Sequence, residues 1–197
     1  MHQLHTSPRF SGREALRKLV LSAMFLAIGL VLPFFTGQIQ QIGNMLLPMH
    51  IPVMLCGLIC GWQYGAVVGL TLPLIRSLLF GMPPIFPAAP AMAVELCIYG
   101  LAIGFLYGLF KKQNLAAVYA SLIPSMILGR IAWGGAQTVL LSMRESAFTF
   151  KAFWAGAILN AIPGIILQLL LIPAIMTTLH YTGMQRFRGR ASGEDKP

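Results

Sequence analysis

The sequence predicts an all-α integral membrane protein: a bundle of six transmembrane helices with both termini cytoplasmic. Three observations lead there. Only 10% of the 197 residues are charged and 57% are hydrophobic, whereas a soluble domain of this size carries about 25% charged residues. Apolar runs long enough to cross a hydrocarbon core of about 30 Å recur along the whole chain. The basic residues stand between and beyond those runs. Mean hydropathy is +0.76, and the length suits one membrane domain over 18–181 between two short polar segments, 1–17 and 182–197.

The first span is read at 18–35, ending near Pro33, and the second at 45–60. The Gly61-Trp62-Gln63 link is read as a tight turn, because a fused segment would exceed any usual span. The third span follows at 64–80. The run Pro83-Pro84-Ile-Phe-Pro87-Ala-Ala-Pro90 is read as non-helical, since prolines lack amide donors and disfavour helix in the residue before them. It serves either as a stiff cap over a cavity or as an inert turn. The remaining spans are 92–110, 115–143 and 152–181. Gly100, Gly104 and Gly108 recur every four residues, a pattern that lets a second backbone approach closely.

Orientation follows from lysine and arginine placement. Six spans with an inside N-terminus put Arg9, Arg13, Arg17, Lys18, Lys111, Lys112, Arg186, Arg188, Arg190 and Lys196 on the cytoplasmic side. Only Arg144 and Lys151 fall outside, and Arg76 and Arg130 lie within spans. The formal charge of +9 therefore marks topology; no contiguous basic stripe with interleaved aromatics suggests nucleic acid.

Polar residues inside spans cost at least a few kcal/mol and are functional candidates by default. His50, Arg76, Glu95 and Asn160 come from four different spans yet share the outer half of the membrane. Arg130 and Gln137, seven apart, return to one helical face that Trp133 and Gly134 flank. A cation, an indole and an amide on one face suit a small polar ligand with an apolar body. Each residue also has a structural reading. Arg76 and Glu95 can neutralise one another, Arg130 can hold a neighbouring helix, His50 can cap a helix start, and Asn160 can satisfy carbonyls freed by a kink near Pro163. Gln168 is read as an interhelical hydrogen bond. Two arginines against one glutamate lean the ligand toward a carboxylate or phosphate.

Absent motifs narrow the function. There is no GxxxxGK[ST] loop, HExxH or GxSxG elbow, and no Cys–His–Asp metal cluster; Cys56, Cys60 and Cys97 read as small buried hydrophobes. Neither an enzyme nor a cofactor is expected. Without an evident internal repeat, a self-contained secondary transporter is the weaker reading; such a proton- or ion-coupled carrier would use Glu95.

The motif Ala23-Met-Phe-Leu-Ala27 on the first span, with Leu47-Pro-Met-His-Ile-Pro-Val-Met-Leu-Cys-Gly57, Gly61-Trp-Gln-Tyr-Gly65 and Gly69, resembles the S component of an energy-coupling factor (ECF) vitamin transporter, on its riboflavin/pantothenate-like side. The resemblance extends over about 17–181. It implies a bacterial plasma-membrane subunit that captures a vitamin or related micronutrient from outside. It also implies a membrane T subunit and two cytoplasmic ATPases as partners, with Ala23 and Ala27 forming the T-docking face.

Overall fold

The computed structural model describes residues 12–36, 47–143 and 161–182. Six α-helices are found among them: α1 (Gly12–Val31), α2 (His50–Cys60), α3 (Trp62–Phe80), α4 (Ala88–Leu109), α5 (Leu115–Ser142) and α6 (Ile162–Tyr181). A 3-10 turn, Leu32–Thr36, follows α1. No strand occurs among the described residues. Five of the helices, all but α2, are long and apolar enough to cross a membrane. Large apolar side chains remain exposed along them, including Leu19, Met24 and Ile28 on α1 and Leu78 and Leu79 on α3. So much exposed apolar surface calls for lipid as its solvent.

The second helix departs from the expectation for 45–60. It has 11 residues, about 16 Å at 1.5 Å per residue and roughly half a bilayer core. Its first turn forms only after Leu47, which has φ 50° and whose carbonyl accepts from the His50 amide at 3.1 Å. In compensation it is buried nearly all round, from His50 to Cys60 with only Ile59 partly exposed. A helix that meets protein on every side does not need to match the lipid thickness. Gly61 alone joins it to α3, at φ 103°, a backbone conformation that favours glycine. The tight turn read from the sequence is present.

The start of α4 corrects a second expectation. Helix begins at Ala88 and takes Pro90 into its first turn, where a backbone N–H would have no intrahelical acceptor and proline loses nothing. The preceding turn is held by Ser77 Oγ, which donates to the Pro83 carbonyl at 2.7 Å. At the other end of α4, exposed Lys111 and Lys112 lead into α5, whose start is capped by the Asn114 side chain accepting from the Ala117 amide at 2.9 Å.

Glycines weld α2, α3 and α4 together. A methyl added at Gly57 would stand 2.6 Å from the Gly100 carbonyl oxygen, and one at Gly104 would stand 2.6 Å from Trp62 backbone. Methyls at Gly69 and Gly100 would collide with the Leu96 and Gly65 carbonyls. These obstacles are backbone atoms, which cannot rotate away. The four-residue glycine pattern is thus internal packing at Gly100 and Gly104, while Gly108 faces open space. An apolar core of Met54, Leu58, Ile103, Val118, Leu122, Ile172 and Met176 continues from the seam across to α5 and α6.

Candidate functional site

Above the seam, about 7.5 Å along α4 from Gly100 at 1.5 Å per residue, lies Glu95, 1% exposed. Two local features bring it company. The turn at Leu47 starts α2 at His50, whose ring packs edge-on against Tyr99 at 5.2 Å between centroids. Tyr99 is one helical turn beyond Glu95, so the same placement brings His50 Nε2 to 3.3 Å from Glu95 Oε1. On the opposite side, Gly129 lets α5 close on Tyr99; a methyl there would stand 2.8 Å from the ring. The next residue, Arg130, thereby reaches Glu95, with Nη1 2.9 Å from Oε1.

His50, Glu95 and Arg130 from three helices thus form one buried charged cluster. Both contacts have ion-pair distances but lack the alignment of hydrogen bonds, so the cluster leaves much of its hydrogen-bonding capacity unused. His50 Nδ1 and Arg130 Nε and Nη2 are buried without a hydrogen-bond partner. An unpaired buried donor or acceptor costs about 1–3 kcal/mol. Nε–H and one Nη2–H of a guanidinium point the same way, as the fork that grips a carboxylate or phosphate. That fork is the part of Arg130 that Glu95 does not occupy.

Farther along α5, Gly134 is buried, Trp133 and Gln137 are partly buried, and Gln137 Oε1 is enclosed without a hydrogen-bond partner. On α6, Gln168 is 1% exposed and its Nε2 has no hydrogen-bond partner, so the amide nitrogen donates no interhelical hydrogen bond. Asn160 lies outside the described residues.

Arg76 has other company. Its Nη1 donates to the Leu30 carbonyl at 2.6 Å, and its guanidinium stacks on Phe34 and Phe80, 5.2 and 5.5 Å from the ring centroids. The neutralisation of Glu95 open to Arg76 in the sequence reading falls instead to Arg130, with the His50 ring beside the same carboxylate. Tyr99 and Gly129, which set the cluster's geometry, were not singled out from sequence. Their signal lies in position alone, one turn from Glu95 and one residue from Arg130. Ala23 and Ala27 lie exposed on α1.

The described residues contain no group of three or more His, Cys, Asp or Glu side chains placed to hold a metal ion. The site offers instead a guanidinium fork, an imidazole and amides in apolar surroundings, which is equipment for holding a small polar molecule.

Neither the curated proteins nor the solved structures include a match to this chain. The family model of the ECF transporter substrate-specific component matches residues 17–176, most of the length, from within α1 to within α6. The chain belongs to the family of ECF transporter substrate-specific components.

Proposed function

We propose that this chain captures a small vitamin-like micronutrient, carboxylate-bearing and of pantothenate-like chemistry, at the His50–Glu95–Arg130 cluster on the outer side of a bacterial plasma membrane. A flavin ranks next, within the same riboflavin/pantothenate-like branch. The observation that carries the reading is Arg130: its Nη1 is neutralised by Glu95 while its Nε and Nη2 are buried and unpaired. A bidentate acid would supply two charge-assisted hydrogen bonds there, each worth about 1.5–3 kcal/mol. Trp133, Gln137 and Asn160 complete the proposed surroundings of the ligand, while Arg76, read from the sequence as a further member, is engaged with Leu30, Phe34 and Phe80.

Both termini are cytoplasmic in this reading, so that Lys111 and Lys112 lie on the inner side and the cluster opens outward. Transport then needs a T subunit docked on the Ala23–Ala27 face of α1 and two ATPases. The test compares binding with uptake. The purified chain in nanodiscs should bind radiolabelled pantothenate, and liposomes holding the chain alone should take up none until the T subunit and ATPases are added with ATP. Uptake by the chain alone would overturn the assignment of subunit roles.

A further inference from the structure

The orphaned polar atoms of α5 are not scattered. Arg130 and Gln137 are seven residues apart, and two turns of helix return to within about 20° of the same face. Their rise along the axis is about 10.5 Å at 1.5 Å per residue. Gly134, which is buried, lies on that face between them, and Trp133 flanks it. The lower end of the stripe has two unpaired donors, Arg130 Nε and Nη2; the upper end has an unpaired acceptor, Gln137 Oε1. Three of the five N–H vectors of a guanidinium and an amide carbonyl are too strong a set of groups to leave enclosed for packing alone.

We infer that α5 measures its ligand: the substrate is an elongated monoanion with a carboxylate at one end and a hydroxyl or N–H donor roughly 8–12 Å away, the rise between Arg130 and Gln137 allowing for side-chain reach. The carboxylate lies on the Arg130 fork. The body of the molecule runs along the Gly134 face of α5, with the Trp133 indole beside it. The far donor meets Gln137 Oε1. Chemistry sets the polarity of the arrangement: a ligand with an acceptor alone at its far end would leave Gln137 Oε1 unpaired, and a neutral ligand would leave the fork unpaired. This inference rests on the capture function proposed above and adds the length and the polarity of the ligand.

The experiment is isothermal titration of the full chain in nanodiscs with three probes: pantothenate, its alcohol analogue panthenol, and β-alanine. Pantothenate has both ends, panthenol lacks the carboxylate, and β-alanine lacks the far hydroxyls. Wild type should bind pantothenate at least 100-fold more tightly than either partial probe. Arg130→Lys keeps the charge but loses the fork, and should weaken pantothenate at least 10-fold while leaving panthenol within twofold. Gln137→Leu should weaken pantothenate 5- to 30-fold and leave β-alanine within twofold. A thermal melt of each variant within 3 °C of wild type excludes misfolding as the cause, and Gln137→Met, close in size but without the acceptor oxygen, serves as the second variant if Gln137→Leu fails that criterion, with the same loss expected.

Sensitivity to Arg130→Lys without sensitivity at Gln137 would overturn the measuring stripe and leave the acid-binding site standing. Binding of riboflavin or another neutral vitamin, indifferent to Arg130→Lys, would overturn the monoanion and leave capture standing. Absence of binding across pantothenate, β-alanine and a panel of neutral vitamins would sink the inference and the capture reading together.

Discussion

Replacing Glu95 by leucine removes the anion that faces Arg130 and leaves the guanidinium where it is. The side chains of Arg130 and Glu95 are 13% and 2% exposed, so water cannot take the place of the carboxylate. Removing one partner of such a buried pair costs about 3–5 kcal/mol, whereas exchanging both for apolar residues of similar volume is often neutral or stabilising. Glu95→Leu and Arg130→Met should therefore each lower stability by about that amount. In a chain of this size 1 kcal/mol shifts the melting temperature by about 2–4 °C, so each single variant should melt roughly 6–20 °C lower. The double variant should recover most of the loss, giving a coupling energy of at least about 2 kcal/mol. The assay is thermal unfolding of the detergent-solubilised chain, followed by tryptophan fluorescence and by static light scattering. Singles that melt with wild type, or losses that add within about 0.5 kcal/mol, would mean that the two charges do not depend on one another. The double variant keeps the fold but not the fork, so it should also separate stability from acid binding.

Three further outcomes are expected. Gly100→Ala should reduce the folded yield severely, because its methyl meets the Gly65 carbonyl, while Gly108→Ala, with nothing within 4 Å, should stabilise by up to about 1 kcal/mol through helix propensity; comparable melting of the two would refute the seam. Arg76→Met should lose its hydrogen bond to Leu30 and its stacking on Phe34 and Phe80, lowering stability by about 1.5–3 kcal/mol, measured by the same melt, whereas an unchanged melting temperature would show that the clamp contributes nothing. Ala23→Leu with Ala27→Leu on the exposed face of α1 should leave ligand binding and melting intact yet abolish uptake by the assembled transporter; unimpaired uptake would move the T-docking surface elsewhere.

Much of the architecture is legible in the sequence because hydrophobicity, charge and glycine each act over short range. The order of the helices, the tight turn that begins at Gly61 and the close backbone approach at Gly100 and Gly104 all follow from local patterns. Glu95 and Arg130 are conspicuous for the same reason, being charges in apolar surroundings. Their partnership is not legible. Which buried charge meets which depends on how each helix is rotated about its axis, and α4 is apolar on nearly every side, so periodicity does not orient it. The decisive contacts are steric: Gly129 against Tyr99 brings α5 in, and the turn at Leu47 sets His50. Similar depths leave a pairing of Arg76 with Glu95 open in the sequence, but depth is one coordinate of three. The shortness of α2 was hidden as well, since a helix enclosed by protein and one facing lipid can have the same composition.

The weld between α2, α3 and α4 divides the protein into parts that tolerate change very differently. Within the weld, even one added carbon strikes a neighbouring main chain, so those positions are frozen by geometry. Along the second half of α5 the groups proposed to meet the ligand are side chains on a continuous helix, so exchanging them leaves the backbone in place. New preferences for cargo can therefore be written on one helix, a few residues at a time, while the frame that presents it stays as it is.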